Sequence, residues 1–138
     1  MSKVPAHWEV IGQCRDLRDK IAPDTLIIGN GDVSNRQHGK DLTEHYVLDG
    51  IMIGRGVFQD PFAFAQHSPW GDYSREQRIE LYRKQVQLFA ETWQNRERPV
   101  PTLNKFCKIY INNFDGAKEL REQLMNAKST EELLEKLH

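Results

Sequence analysis

The sequence has few cysteines, no long apolar run and no excess of charge of either sign. Its two cysteines, Cys14 and Cys107, lack the CxxC spacing of a metal or redox motif, and we expect both to be buried free thiols. The longest apolar runs, such as residues 62–65, fall far short of the roughly 20 residues that cross a bilayer. The N-terminus lacks the apolar segment of a secretory signal. We therefore expect a cytoplasmic protein with no membrane span and no metal site.

The balance of charges argues against two further classes of protein. Lys and Arg number 19 and Asp and Glu 20, so no chain-wide basic field indicates a nucleic-acid partner. Charged residues of both signs make up 28% of the chain, and apolar residues make up 38%. This composition favours folded structure over disorder, and 138 residues are the size of one ordinary domain.

The pattern of residues 1–70 predicts helices alternating with two short strands. A first helix opens at Pro5 and carries an apolar stripe that includes Val10 and Leu17. Residues 25–29 and 51–53 are continuously apolar, as in strands covered on both faces. Ser34 or Asn35 can cap a helix between them. Two strands joined through a helix make a βαβ unit with a parallel pair and a right-handed crossover.

Residues 71–138 are predicted to form helices only. Ser74 with Gln77 is a capping-box pattern, and an apolar stripe follows it to about Trp93. Three more helices are predicted, over 103–114, around Leu120, and after Ser129. The fold class is therefore α/β followed by an all-α bundle, with the boundary at residues 70 and 71.

A two-stranded parallel sheet cannot cover its own edges and faces, so the first part looks incomplete. We expect either that upstream strands were lost or that another chain supplies them, and that the isolated chain self-associates or is partly molten in its first half.

Glycine-containing loops follow both predicted strands, at residues 29–32 and 54–56. Glycines let backbone amides approach a phosphate closely, and Arg55 adds a fixed positive charge. In a (β/α)₈ barrel, the loops after strands 7 and 8 commonly bind phosphate together with a short helix, which residues 60–64 are predicted to form. Turns need glycine in any case, so the loops alone would not establish a phosphate site.

Residues 28–33 and 48–62 resemble the last two βα units of the tRNA-dihydrouridine synthases. Residues 104–110 and 117–121 resemble the helical domain of the same family, and the likeness covers nearly the whole chain. Members of that family are FMN-dependent enzymes with a TIM barrel followed by a C-terminal helical domain. The resemblance implies that residues 1–70 are the end of such a barrel and that residues 71–138 are a tRNA-binding helical domain.

The resemblance also implies which residues bind the cofactor. Asn30, Gly31 and Asp32 match the first flavin-phosphate loop, and Gly54 and Arg55 match the second. Turn geometry or helix capping remain alternative roles for the side chains of the first loop.

No catalytic residue is assigned to this chain. The family's general-acid cysteine and the residues around its flavin ring lie on earlier strands, and neither Cys14 nor Cys107 matches that motif. The resemblance implies an enzyme that reduces uridine in tRNA with FMN and NADPH, and we expect this chain alone to be inactive.

A local excess of positive charge is the candidate RNA-binding surface. It comprises Arg96, Arg98, Lys105 and Lys108, with Glu97 as the acidic residue among them. Such a cluster suits phosphate contacts, although a solvated helix face explains it equally well. The resemblance to the tRNA-binding helical domain favours the RNA interpretation.

Two alternatives remain open at the level of sequence. The loops could belong to another FMN-dependent barrel oxidoreductase, although such barrels do not generally end in a helical domain. The chain could also be a non-enzymatic RNA- or protein-binding helical module with a vestigial βαβ unit. Binding of tRNA without binding of FMN would favour the second alternative.

Overall fold

The computed structural model describes residues 4–93 and 98–138. The chain divides into two compact units, Met1–Trp70 and Gly71–His138. The division falls where the sequence pattern changes from mixed to helical. No helix in the described part of the chain is long and apolar enough to cross a membrane.

The first unit contains a parallel βαβ arrangement, as predicted. Its elements are α1 (Trp8–Ile21), β1 (Ile28–Asn30), α2 (Arg36–Tyr46), β2 (Gly50–Met52) and a 3₁₀ helix (Arg55–Phe58). β1 and β2 pair in parallel, with Ile28 opposite Gly50 and Asn30 opposite Met52.

A capping side chain and a glycine explain how α2 begins and how side chains pack on β1. The Asn35 side chain caps α2 by accepting a hydrogen bond from the His38 N–H at 2.9 Å. Gly29 is buried in β1, where a Cβ atom would lie 2.7 Å from Leu48 and 2.8 Å from Trp8. Glycine at this position therefore lets both side chains pack directly on the strand.

The starts of α1 and β1 differ from the prediction, and polar contacts explain both differences. α1 begins at Trp8 rather than Pro5, because the Ala6 N–H donates to Asp32 in the loop after β1. β1 begins at Ile28 rather than residue 25, because the N–H of Ile27 donates to the Asp49 carboxylate instead of a neighbouring strand.

The helix predicted over residues 60–64 is also wrong, since the segment forms turns. The Asp60 side chain accepts a hydrogen bond from the Phe62 N–H at 2.7 Å. The Ala63 and Ala65 N–H groups each bond a carbonyl three residues back, as in turns, and the Ala63 carbonyl accepts from the Arg36 N–H instead of continuing a helix.

The first unit leaves much of its apolar surface uncovered. α1 has no buried residue, and Cys14 is exposed, so the expectation of a buried thiol was wrong there. Between residues 4 and 70, ten large apolar side chains are exposed: Val4, Val10, Leu17, Ile21, Leu26, Ile28, Val47, Met52, Phe58 and Phe64. Among the described residues of the second unit, the exposed large apolar side chains are Leu88 and Met125.

Every regular element described in the second unit is a helix. The helices are α3 (Arg75–Thr92), α4 (Pro101–Asn104), α5 (Cys107–Tyr110), α6 (Ala117–Met125) and α7 (Thr130–Lys136). α3 begins with the predicted capping box of Ser74 and Gln77. The single helix predicted over residues 103–114 is two short helices, because the Phe106 N–H bonds the Leu103 carbonyl three residues back and tightens the turn.

The second unit has its own apolar core. Its buried members are Tyr82, Val86, Leu103, Cys107, Ile111, Ala117, Leu124, Ala127, Leu133 and Leu137. The stripe predicted on α3 contributes Tyr82 and Val86, and the expectation that Cys107 is buried is confirmed.

Candidate functional site

The two glycine-containing loops lie side by side at one edge of the sheet. Asn30 ends β1 and pairs with Met52, which ends β2. Because the strands are parallel, the chain leaves both at the same edge, where open α/β sheets bind their ligands. Gly31 and Asp32 follow the first strand, and Gly54 and Arg55 follow the second.

An ion pair joins the two loops. The Arg55 Nη2 atom donates to the Asp32 Oδ1 atom at 2.7 Å, and both side chains are about half exposed, at 52% and 44%. The second carboxylate oxygen of Asp32 accepts from the Ala6 N–H at 2.9 Å. Asp32 adopts a left-handed backbone conformation with φ of 51°. The geometry therefore indicates that Asp32 orients Arg55 and the loop.

The two glycines of the site differ in what their positions require. Gly31 has φ of 147°, and a Cβ atom there would lie 2.5 Å from the Cβ of Ala6. Its carbonyl accepts a hydrogen bond from the Trp8 indole at 3.0 Å. At Gly54 the nearest atom to an added Cβ is the Met52 sulfur at 3.7 Å, so the space beside that loop is open.

The sequence analysis missed three residues that shape this edge. Ala6 and Trp8 hold the first loop through the bonds described above. Gly56 is buried, and a Cβ atom there would lie 2.6 Å from the carbonyl oxygens of both Val33 and Ser34. The Gly-Arg-Gly motif was visible in the sequence, but only the structure shows that its second glycine brings the loops together.

The donors at this edge suit a phosphate group. One edge of the Arg55 guanidinium bonds Asp32, which leaves the rest of its donor fork for an anion. The first hydrogen bond of the 3₁₀ helix runs from the Val57 N–H to the Gly54 carbonyl. The N–H groups of Arg55 and Gly56 come before it, so the helix itself offers them no carbonyl partner. Phosphate oxygens can accept hydrogen bonds both from an arginine guanidinium and from backbone N–H groups beside it.

Of the predicted RNA-binding residues that the structure describes, Lys105 and Lys108 line one cleft and Arg98 lines another. Lys105 and Lys108 line a cleft of about 500 Å³ together with Lys118 and Arg121. Arg98 instead lies over the ring of Trp93, 4.5 Å from its centroid. Arg96 lies outside the described residues. Lys118 and Arg121 were missed because they come from α6, beyond the charged stretch that the sequence analysis singled out.

The described residues include no group of metal-ligating side chains, and one of the two cysteines is a core residue. No group of three or more His, Cys, Asp or Glu side chains in that part of the chain is arranged to hold a metal ion. Burial raises the pKa of the Cys107 thiol, so Cys107 is a protonated core residue at neutral pH.

Comparison with known proteins identifies the family of the chain. The family model described as dihydrouridine synthase (Dus) matches residues 1–138. "Probable tRNA-dihydrouridine synthase 2" of Bacillus subtilis is 48% identical over 133 residues, which cover 96% of this chain and 40% of that protein. "Probable tRNA-dihydrouridine synthase" of Staphylococcus epidermidis is 45% identical over 137 residues, which cover 99% of this chain and 41% of that protein.

The chain thus spans about two fifths of the length of these curated relatives. Because the family model matches the whole chain and the relatives are 45–48% identical to it, the chain belongs to the dihydrouridine synthase family.

Proposed function

We propose that this chain supplies the phosphate end of an FMN site and an RNA-binding helical part to a tRNA-dihydrouridine synthase. That enzyme reduces uridine in tRNA to 5,6-dihydrouridine, with NADPH as the source of reducing equivalents. The observation that carries the proposal is the 2.7 Å ion pair between Asp32 and Arg55, which joins the loops after two neighbouring parallel strands.

We assign the first unit to the last βα units of a TIM barrel. A parallel pair needs further strands at its edges, and the exposed apolar side chains of this unit need a covering surface. Family members more than twice as long leave ample chain for such strands. The helices of the second unit are assigned to the C-terminal tRNA-binding domain.

Each site residue has a distinct role in this proposal. Arg55 supplies the countercharge to the flavin phosphate, while Gly31 and Gly54 allow the backbone to approach it. Asn30 offers an amide donor at the end of β1. Asp32 is a positioning residue, since a carboxylate would repel a phosphate and both of its oxygens already bond Arg55 and Ala6.

The chemical step itself is assigned to groups outside this chain. When bound and reduced by NADPH, FMN would supply the hydride for the C5–C6 double bond of uridine, and the family's general-acid cysteine, outside this chain, would supply the proton. The residues described here bind and orient the phosphate end of the cofactor, and the chain alone is expected to be inactive. Lys105, Lys108, Arg98 and Arg96 are proposed to contact tRNA phosphates.

Titration of FMN fluorescence against full-length enzyme tests the cofactor site. Arg55→Ala should weaken binding markedly, because the phosphate then loses its charged fork. Arg55→Lys should recover part of the affinity, because an ammonium group cannot reproduce the bidentate geometry. Arg15→Ala is the control, because Arg15 pairs with Asp16 on α1.

Equal affinity of the wild type and Arg55→Ala would refute the site assignment. In the same titration, the 138-residue chain should bind FMN only weakly, because the strands proposed to lie beneath the flavin ring are not part of it. Micromolar or tighter binding by this chain would contradict that account.

A further inference from the structure

The cleft between α5 and α6 combines positive charge with an apolar surface. Lys105, Lys108, Lys118 and Arg121 line it, together with one carboxylate, Glu122. Among residues 4–93 and 98–138, no ion pair neutralises any of the four cationic side chains. Lys105 also lies over the Phe106 ring, 5.0 Å from its centroid. A concentration of cations without carboxylate partners at one cleft attracts a polyanion.

The apolar part of the cleft is formed by two sulfur-containing side chains. Cys107 is almost fully buried at 1% exposure, whereas Met125 is 53% exposed. Methionine is a flexible, polarisable side chain that makes favourable contacts with aromatic rings. The exposed Met125 side chain therefore gives the cleft a surface that a planar ring can pack against.

The fixed groups of the cleft add hydrogen-bonding capacity. Arg121 is anchored because its Nη1 atom donates to the Ile111 carbonyl at 2.8 Å, so its planar guanidinium is held in place. The Asn126 amide nitrogen donates to the Glu122 carbonyl at 2.9 Å, which leaves the Asn126 side-chain oxygen to accept from a ligand. A volume of about 500 Å³ lies in the range of small-ligand sites.

We propose that this cleft holds one unstacked nucleotide of an RNA strand. The base packs against Met125 and the Arg121 guanidinium, and the flanking phosphates contact Lys105, Lys108 and Lys118. Unpaired RNA nucleotides are commonly bound in this way, by stacking on planar or apolar side chains with phosphate contacts around them. The choice of RNA over another polyanion rests on the proposed tRNA substrate, while the cleft itself is independent of the flavin site.

Fluorescence anisotropy with the 138-residue chain tests the proposal. The probes are labelled oligouridine and an abasic ribose–phosphate oligomer of equal length. We expect Lys118→Glu to weaken both probes by about tenfold and to reduce the salt slope by about 0.7 for each phosphate that the variant no longer neutralises. Met125→Gln should weaken oligouridine while leaving the abasic probe unchanged. Lys84→Glu, at an exposed lysine of α3 outside the cleft, should leave both affinities unchanged.

Three outcomes would overturn the proposal. They are wild-type affinity in both cleft variants, equal binding of the two probes by the wild-type chain, and displacement of oligouridine by an acidic peptide at equal concentration. Uridine reduction by the full-length enzyme separates this proposal from the proposed function. If the cleft variants bind RNA normally and reduction persists, the cleft assignment fails while the proposed function stands.

Discussion

At position 56, a single added methyl group should separate the two loops. A Cβ atom on Gly56 would lie 2.6 Å from the carbonyl oxygens of Val33 and Ser34. Both neighbours are backbone atoms, so relief requires movement of a whole loop. We expect Gly56→Ala to lower the free energy of unfolding by about 1–3 kcal/mol, as overpacking usually does. Urea denaturation monitored by circular dichroism measures this.

Gly71 provides the matched control for that substitution. A Cβ atom on Gly71 would meet no atom within 4 Å, and its backbone is not left-handed. Gly71→Ala should therefore leave the denaturation midpoint nearly unchanged. A destabilisation in Gly56→Ala no larger than that in Gly71→Ala would show that the loops are not held as closely as described.

Asp49 should make the first unit sensitive to acid. The N–H of Ile27 and the Arg18 guanidinium hold the pKa of the Asp49 carboxyl below its usual range. Because the folded pKa lies below the unfolded value, this contribution is fully present above the unfolded pKa. It is lost as the pH falls through the lowered folded pKa. Asp49→Asn should reduce stability at neutral pH and flatten the dependence on pH in the acid range.

Denaturation midpoints measured across the acid range check this expectation. Asp24→Asn is the control, since Asp24 lies exposed in the turn after α1. If the acid dependence of Asp49→Asn matched that of the wild type, the contacts of Asp49 with Arg18 and Ile27 would not be responsible.

The residues of the candidate site could be named from the sequence, but the contact between Asp32 and Arg55 could not. Asn30, Gly31, Asp32, Gly54 and Arg55 all stand in one motif pair, and their assignment to FMN remains a prediction. Which atom of Asp32 bonds Arg55 depends on the parallel register and on the N-terminal segment. Neither the register nor that contact is encoded in the local spacing of residues.

At the scale of elements, the Ser74 capping box should contribute measurably to α3. The Ser74 hydroxyl accepts from the Gln77 N–H, and the Gln77 side chain accepts from the Ser74 N–H at 2.8 Å. Ser74→Ala should cost about 1 kcal/mol of unfolding free energy, because one N–H at the start of the helix loses its partner. Ser74→Asp keeps an acceptor at that position and should retain most of the stability. Equal destabilisation in the two variants would argue against capping as the cause.

Helix starts with a capping side chain were predictable, and the interruptions were not. Asn35 and Ser74 both cap the helices that the sequence assigned to them. The segment after Asp60 forms turns instead of the predicted helix because the Ala63 carbonyl accepts from the Arg36 N–H, a contact that local spacing does not predict. The break at Phe106 was not predicted, because the apolar stripe keeps its helical spacing across the tightened turn.

At the scale of the whole molecule, the two units should differ in stability. The second unit buries a core of ten side chains, whereas α1 of the first unit buries none. Burying a large apolar side chain contributes roughly 1.5–3 kcal/mol, so the first unit lacks much of the usual stabilisation. Hydrogen exchange should therefore show stronger protection around Leu124 and Leu133 than in β1 and β2. Uniform protection along the chain would contradict this.

The exposed apolar residues of the first unit should also cause self-association of the chain. Leu17→Glu places a charge on that surface and should weaken the association seen by sedimentation velocity. Leu88→Glu is the matched control, since Leu88 is a comparably exposed helical leucine in the second unit, at 63% against 58%. A wild-type chain that sediments as a monomer at all concentrations would refute the expectation.

The packing of Trp8 gives the loop after β1 an intrinsic optical reporter. Its indole N–H bonds the Gly31 carbonyl, and its ring stacks on Tyr46 with centroids 5.7 Å apart. Indole emission responds to the breaking of such a bond and to the approach of water. With Trp70 and Trp93 replaced by phenylalanine, the remaining emission would come from Trp8 alone. The wavelength of the indole emission maximum would then report changes in this loop during an anion titration, without an attached dye.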